Sequence, residues 1–380
     1  MPAPAIPRAT YRLQLNIGFT FADATAIVPY LAQLGISHLY LSPFLKARPG
    51  SSHGYDIVDH NAWNPEIGDE ALFEALAAAA RTHGMGLVMD VVPNHMAVGG
   101  GDNAWWLDVL EWGEDSPYAR FFDIDWQSAR PELKGRLLLP FLGEHYGRVL
   151  ERGELVPRFD PATGGIDVWY WQHRFPIALR DYAAILAPVV ARLGPNPDGD
   201  ALADVVLDLN ALAARGASRS PATRRSQGLA IKARLAELAG QRPAVAVALT
   251  DGVAMLAGQA GEPESFIALH RLMDRQAWRV SSWRVASDEI NYRRFFDVNE
   301  LAGLRMVEEP DLFDVAHRLS LDLVRRGLIQ GIRIDHVDGL FNPAEYCRLL
   351  QERVEQMVGR PAWMVEIGRA SCRERVLRLV

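Results

Sequence analysis

Short apolar runs alternate with amphipathic segments over the first hundred residues and again near the end of the chain. Strands are predicted at Thr10 to Leu15, Ile36 to Pro43 and Gly86 to His95, where apolar, β-branched and aromatic residues concentrate. Residues 329–339 and 361–366 have the same character. Continuous apolar strands of this kind are typical of a parallel sheet that is buried on both faces.

Amphipathic helices are predicted between these strands. Thr20 is a suitable N-cap for a helix that runs to about Leu34, and Asp69 for a helix that Gly84 ends. Residues 311–327 and 343–357 show the same periodicity. The alternation indicates either a doubly wound sheet or a (β/α)8 TIM barrel. No glycine-rich phosphate loop follows any strand, and polar residues gather where strands end, so the barrel is favoured.

The alternation stops over residues 97–290. This stretch is first rich in aromatic residues, proline and glycine, and then, from about residue 197 to 261, in alanine, leucine and arginine with helical periodicity. It is therefore predicted to be an inserted, irregular and helical subdomain between strands three and four. Residues 1–96 would supply strands one to three and residues 291–366 strands four and five. The barrel would then be incomplete, with about five of its eight strands.

Charge and composition narrow the range of partners. The formal net charge of -7 argues against nucleic acid or an anionic membrane as a partner. Two cysteines, Cys347 and Cys372, give no disulfide framework, and no apolar run suits a signal peptide or a membrane span. A cytoplasmic location is therefore expected. The sequence predicts no cofactor, and it has no recognisable spacing of metal ligands.

Polar side chains end or follow three of the predicted strands: Asp90, Asn94, His95, Arg333, Asp335 and Glu366. Arg333 and Asp335 alternate along one strand, so both point to one face. Asp335 and Glu366 end neighbouring strands, which would place two carboxylates about 5 Å apart. That separation suits a retaining glycosidase, in which one carboxylate attacks carbon and the other transfers the proton. Arg333 would keep Asp335 ionised, and desolvation would raise the pKa of Glu366.

The same residues also have purely structural explanations. Asp90 or His95 alone could cap a helix or be a hydrogen-bonded polar group of the core. Arg333 and Asp335 could form a structural ion pair. The occurrence of all three polar segments at strand ends favours a shared catalytic site over these explanations.

Several segments resemble the α-amylase superfamily of glycoside hydrolases. DVVPNH at residues 90–95 and GIRIDHVD at 331–338 are similar to its first two conserved regions, and residues 51–68 resemble the loop after its second strand. Within the superfamily, TYRLQLNIGFTF, YLSPFLKARPGSSHGYD and GIRIDHVDGL are most similar to the maltooligosyl trehalose synthases, and the resemblance extends over residues 7–366. That family converts the terminal α-1,4 bond of a maltooligosaccharide into an α,α-1,1 bond.

The resemblance implies a role for each matching residue. Asp335 would be the nucleophile, Glu366 the acid/base, and Arg333 would orient Asp335. The substrate-binding residues would be His53, Tyr55, Asp56, Asp90, Asn94, His95, Arg333, His336 and Asp338. The ring of Tyr55 would stack on the sugar, and the insertion at 97–290 would cover the pocket and exclude water. The implied partner is a maltooligosaccharide, with functional pairing to a trehalose-releasing hydrolase as a further expectation.

Two departures from the family pattern bear on the activity of this chain. The superfamily uses a third acidic residue beyond the fifth strand, which is expected to lie outside this chain. The string EIGRASCRERV resembles a translated sequencing adapter, so residues 367–380 are expected to be a non-native tail, with Glu366 at the junction. An α-amylase-type hydrolase and an inactive or merely glucan-binding fragment are therefore the alternative interpretations.

Overall fold

The computed structural model describes residues 6–215 and 220–367, and the chain divides into two compact units. The first unit contains the residues up to 98, residues 121–123 and those from 294 onward. The second unit contains residues 99–120 and 124–293. Residues 368–380, which include Cys372 and nearly all of the expected tail, lie outside the described residues.

The second unit interrupts the first along the chain, so the helices and strands of the first unit fall into two groups. The first elements are β1 (Thr10–Leu13), α1 (Phe21–Gln33), β2 (His38–Leu41), β3 (Leu45–Ala47), β4 (Ile57–Trp63), α2 (Glu70–Thr82), β5 (Gly86–Val91) and β6 (His95–Ala97). The second unit contains α3 (Ala104–Trp112), β7 (Leu137–Leu142), α4 (Tyr146–Glu151), β8 (Val156–Asp160), β9 (Gly165–Tyr170), β10 (His173–Pro176), α5 (Tyr182–Leu193), α6 (Pro197–Arg215), α7 (Pro221–Gln241), α8 (Pro243–Ala254), α9 (Ile267–Met273), β11 (Trp278–Ser282) and α10 (Ala286–Glu289). The first unit resumes with β12 (Arg294–Phe295), β13 (Val298–Gly303), α11 (Pro310–Ala316), α12 (Arg318–Arg325), β14 (Gly331–Asp335), α13 (Pro343–Val358) and β15 (Trp363–Ile367).

Five strands of the first unit form one parallel sheet in the order β1-β2-β5-β14-β15. They are the five strands that the hydrophobic pattern predicts, and helices connect them along the chain. A doubly wound sheet reverses its strand order at a switch point. Here each strand pairs with the one before it in the predicted series, which is the order of a (β/α)8 barrel. The parallel sheet and its connecting helices are thus confirmed.

The first two helices begin where their capping residues predict. Thr20 accepts a hydrogen bond from the backbone N–H of Asp23 at 3.4 Å, and the Asp23 carboxylate accepts one from the N–H of Thr20 at 2.8 Å. The Asp69 carboxylate accepts from the N–H of Leu72 at 3.0 Å. These bonds satisfy N–H groups that have no partner within the first helical turn.

An aromatic cluster forms part of the core of the first unit. Three of its members are fully buried: Phe21 of α1, Phe44 in the loop after β2, and Phe73 of α2. Trp63 of β4 packs against them. The ring centroids of neighbouring members lie between 5.0 and 6.0 Å apart. Aromatic pairs at this spacing contribute more than their buried area alone. The cluster therefore connects both helices to the loop that follows β2.

The second unit combines small sheets with a group of helices. Strands β8, β9 and β10 form an antiparallel sheet, β7 pairs with β11 in parallel, and α5 packs against α6 and α8. Lys232 of α7 donates to both carboxylate oxygens of Glu111 of α3 at 2.9 Å. That buried pair connects two helices that are far apart in sequence. Across the described ranges of both units, the helices are too short or too polar to cross a bilayer.

The aromatic cluster provides a test of the core. Replacing Phe73 with alanine is expected to lower the free energy of unfolding by about 3–5 kcal/mol, because the change leaves a cavity among fully buried rings. Urea unfolding measures this loss. Leu72→Ala on the same helix is the control, since Leu72 is 41% exposed and the change should cost less than about 1 kcal/mol. Equal losses in the two variants would contradict the assignment of the cluster to the core.

Candidate active site

Polar side chains line one face of the parallel sheet. Residues that pair in parallel strands share a face, and successive residues alternate between faces. The register pairs Arg12 with Tyr40 and Asp90 with Arg333, so side chains from four neighbouring strands lie on the same face as Asp335. The opposite face is apolar and carries buried Leu39, Met89 and Ile332. The polar face is therefore where chemistry can occur.

Arg333 joins two carboxylates on this face. Its Nη1 donates to Asp90 Oδ1 at 2.7 Å and to Asp335 Oδ1 at 2.7 Å. The Asp90 side chain is fully buried, and those of Arg333 and Asp335 are only 9% and 14% exposed. Buried charges of opposite sign are strongly coupled, so the guanidinium fixes the positions of both acids.

Asp90 accepts three side-chain hydrogen bonds. Its Oδ2 accepts from the hydroxyl of Tyr40 at 2.7 Å and from that of Tyr55 at 2.8 Å, while Oδ1 accepts from Arg333. The Tyr55 hydroxyl also accepts from Arg12 Nη2 at 3.3 Å. With three donors already bound, Asp90 is placed to organise the site rather than to transfer a proton.

Burial dominates the electrostatics of the two carboxyl groups. It raises the pKa of Asp335 above its ordinary range, and the charge and hydrogen bond of Arg333 oppose this rise. Burial likewise raises the pKa of Asp90, against the charge of Arg333 and the tyrosine hydrogen bonds. Asp335 is thus ionised only when the pH lies above a raised pKa.

Asn94 and His95 support the same face from the residues that follow β5. His95 Nε2 lies 3.2 Å from the carbonyl oxygen of Tyr55, so this nitrogen carries the proton and donates. His95 Nδ1 then accepts from Asn94 Nδ2 at 3.4 Å. Both side chains are buried, and the ring of Phe295 lies 4.2 Å from that of His95. His95 therefore holds the backbone of Tyr55 in place.

The loop at residues 51–56 presents Tyr55 through a close backbone approach. Gly54 has a φ of +79°, and a Cβ there would lie 2.3 Å from the carbonyl oxygen of Pro43. Ser51 donates to the Asp56 carboxylate, and His53 Nδ1 accepts from the N–H of Tyr55 at 3.1 Å. The His53 side chain is about half exposed. Asp56 and His53 thus shape the loop, and of these three loop residues it is Tyr55 that hydrogen-bonds to Asp90.

His336 and Asp338 follow β14 directly. His336 adopts left-handed backbone angles, with φ 49° and ψ 45°. Its Nδ1 lies 3.4 Å from the Asp338 carboxylate, whose side chain is 44% exposed. The ring of His336 also contacts Phe295 and Phe296, at 4.8 and 5.1 Å between centroids. Both predicted residues therefore lie beside the polar face.

Glu366 does not occupy the position expected from the sequence. Strand β15 pairs Glu366 with Ile334, and it pairs Ile367 with Asp335. Glu366 consequently lies on the face of Ile334 rather than that of Asp335, so this register does not set the two carboxylates side by side. Burial raises the pKa of Glu366, and the charge of Asp338 adds to this. The hydrophobic pattern predicts the order of strand ends but not their register, and a shift of one residue changes the face.

Arg12, Tyr40 and the phenylalanines at 295 and 296 contact site residues but are not among those predicted from the sequence. Arg12 and Tyr40 lie within strands that were interpreted as apolar, although each is the polar member of an alternating run. Their guanidinium carbon and ring centroid lie 5.4 Å apart. That alternation was a usable signal for the face of the sheet. No comparable signal marked Phe295 and Phe296, since they lie in the predicted barrel continuation without periodicity.

Comparison with known proteins finds relatives that align with nearly the whole of this chain. A family model of the alpha-amylase catalytic domain matches residues 23–148. A protein of Mycobacterium tuberculosis (strain CDC 1551 / Oshkosh) named as a maltooligosyl trehalose synthase is 34% identical over 363 residues, which are 94% of this chain and 34% of that relative. The intracellular maltogenic amylase of Bacillus subtilis (strain 168) is 36% identical over 126 residues, 32% of this chain and 20% of that enzyme.

A solved structure agrees with these relatives. The maltooligosyltrehalose synthase from Arthrobacter ramosus superposes with a TM-score of 0.64 at 34% identity, covering 97% of this chain and 36% of that one. The parallel sheet with its helices is therefore a (β/α)8 fold of the alpha-amylase type. The chain spans about a third of the length of the maltooligosyl trehalose synthases that it matches.

The central ion pair can be tested by stability. Asp90→Asn is expected to lower the free energy of unfolding by about 3–5 kcal/mol, because it leaves the buried Arg333 without one of its two counter-charges. Guanidinium unfolding at neutral pH measures the loss. The control is Glu74→Gln, which breaks an exposed ion pair with Arg326 and should cost at most about 1 kcal/mol. A loss for Asp90→Asn no larger than the control's would contradict the central position of this pair.

Proposed function

We propose that this chain belongs to the maltooligosyl trehalose synthase family along the stretch that it shares with its relatives. On that premise, it converts the reducing-end α-1,4 bond of a maltooligosaccharide into an α,α-1,1 bond. The observation that carries the proposal is the buried assembly of Asp90, Arg333 and Asp335 on the polar face of the sheet. A maltooligosaccharide is the proposed substrate, and a cytoplasmic location and a trehalose-releasing hydrolase as functional partner are proposed with it.

The proposed chemistry begins at Asp335. Its carboxylate attacks the anomeric carbon of the penultimate glucose, which breaks the α-1,4 C–O bond and forms a covalent glycosyl–enzyme ester. A general acid gives its proton to the departing oxygen of the terminal glucose. The anomeric hydroxyl of that glucose then attacks the same carbon, returns a proton to the acid and releases Asp335. Two inversions leave an α,α-1,1 bond.

Arg333 makes this attack possible in the proposal. Its hydrogen bond places the Asp335 carboxylate, and its charge keeps that carboxylate ionised against the rise in pKa that burial causes. Asp90 holds Arg333 from the other side, and Tyr55, bonded to Asp90, offers a ring against which a sugar can lie. Pre-organised groups of this kind stabilise charge without having to reorient during the reaction.

Glu366 is the proposed acid/base on the resemblance alone. To serve Asp335, it has to lie opposite Asp335 rather than opposite Ile334, which requires β15 to move by one residue along β14. Such a register would turn the carboxylate to the polar face and give the two-carboxylate spacing of a retaining enzyme. The proposed role of Glu366 and this register are therefore one proposal.

An α-amylase-type hydrolase is the second candidate. The similarity to the intracellular maltogenic amylase of Bacillus subtilis over 126 residues favours it, and a glycosyl–enzyme ester is equally open to attack by water. The two reactions differ only in whether the released glucose or a water molecule intercepts the glycosyl–enzyme ester. Product analysis therefore separates them.

The proposal predicts the products formed from maltopentaose. This chain and a longer version that continues through the rest of the gene are incubated with maltopentaose, and reducing ends and sugars are measured. Loss of reducing ends without release of glucose is the expected result. Asp335→Asn should lower the rate at least about a thousandfold, since it removes the nucleophile, whereas Asp314→Asn, at an exposed ion pair with Arg353, should leave it unchanged. Glucose as the main product would move the assignment to a hydrolase.

The charge of Arg333 predicts a shift in the pH profile. Asp335 must be ionised to attack, so kcat/KM falls as the pH drops through its raised pKa. Arg333→Gln removes the positive charge that lowers this pKa, and the acidic limb should move to higher pH by about one unit. Arg326→Gln, which removes an ion pair with Glu70 at the C-terminal end of α12, is the control and should leave the limb in place. An unmoved limb in Arg333→Gln would show that Arg333 does not hold Asp335 ionised.

A further inference from the structure

Two residues with unfavourable backbone angles contact each other beside Asp335. Among the residues that the structure describes, three non-glycine residues have positive φ, and two of them are Phe296 and His336, both at 49°. Their ring centroids are 5.1 Å apart. Left-handed angles are unfavourable for residues with a bulky side chain, and they persist where the surroundings enforce them, often at functional sites.

The turn itself does not call for a phenylalanine. Phe296 is the first of two residues that connect β12 to β13, where Phe295 pairs with Val298. Glycine, asparagine or aspartate is the ordinary residue at positive φ in such a turn. Phenylalanine at this position makes the turn less stable, so its side chain must serve another purpose.

Core packing does not explain the ring either. The side chain of Phe296 is 46% exposed, whereas its neighbour Phe295 lies between His95 and His336 at 4.2 and 4.8 Å. Strand β13 also pairs with β6, which carries His95. The turn is thus anchored through Phe295, and the ring of Phe296 is held half-exposed against His336.

His336 is fixed as tightly as the turn. A Cβ on Gly339 would lie 2.5 Å from His336 Cδ2 and 2.7 Å from Asn94 Oδ1, so only glycine allows this packing. His336 follows Asp335 directly in the chain. The strained backbone therefore sets a half-exposed aromatic ring at a fixed position next to the polar face of the sheet.

We propose that Phe296 is a stacking platform for a glucose unit of the maltooligosaccharide, beside the glucose that reacts at Asp335. The inference rests on the proposed function and adds a specificity-determining residue to it. Aromatic rings bind the C–H faces of sugars through apolar contact that requires little side-chain ordering when the ring is already fixed. Phe296 positions the glucan and takes no part in the covalent steps.

Binding of maltopentaose to this chain tests this platform. Calorimetric titration is performed on the Asp335→Asn protein, in which no turnover consumes the ligand. Adding Phe296→Asn removes the ring while keeping a residue that tolerates positive φ. The dissociation constant should then rise about tenfold, and Phe296→Trp should keep it within about threefold of the starting protein. Tyr30→Ala, which removes an exposed ring on α1, is the matched control and should have no effect.

Thermal unfolding separates a binding role from a structural one. If Phe296 is retained for the ligand, Phe296→Asn should unfold at the same or a higher temperature, because asparagine relieves the backbone strain. Weaker binding together with unchanged or higher stability supports the platform. Unchanged binding, or a fall in unfolding temperature that accounts for the weaker binding, overturns it.

The two proposals can fail separately. If maltopentaose binds, Phe296→Asn weakens that binding and the active protein releases glucose, the platform stands and the trehalose-forming reaction is wrong. If trehalose-type products form and the Phe296 variants bind as before, the function stands and the platform is wrong. If maltopentaose does not bind to the Asp335→Asn protein or to the unsubstituted chain, both are overturned.

Discussion

The structure of the polar face depends on a single guanidinium group. Arg333 reaches two carboxylates from the middle of a buried strand, and its charge lowers the pKa of each against the rise that burial causes. A guanidinium suits this buried position better than the ammonium of a lysine would, since it is more weakly hydrated and stays charged. The site is therefore built around a cation that cannot change its protonation state.

The two acids that bind Arg333 differ in burial and in hydrogen bonding. Asp90 accepts three hydrogen bonds and is fully buried, so it has little freedom to move or to bind a proton from the substrate. Asp335 lies at the strand end and accepts the second bond of Arg333, which leaves its other oxygen available. Two aspartates that share one guanidinium thus differ in the number of donors that surround each of them.

Much of this fold was predictable from the sequence, for a physical reason. Parallel strands covered on both faces are largely apolar, and helices often begin where a side chain satisfies the first N–H groups, so Thr20 and Asp69 marked helices α1 and α2. The polar strand ends at Asp90 and Asp335 followed from the same logic. Tyr40 was not predicted as a site residue, because a tyrosine in a strand is equally common in a core.

Register is the property that the sequence did not determine, and Glu366 shows why. Hydrophobicity specifies which residues belong to a strand, but β15 has apolar residues on both sides of its alternation, so either register buries apolar atoms. In β14 the alternation of Arg333 and Asp335 with isoleucines removes that ambiguity, because a slip would bury two charges against the helices. A strand is fixed where it carries charge, and β15 carries only Glu366. The carboxylate proposed as the acid/base is therefore on the strand whose own sequence constrains its face least.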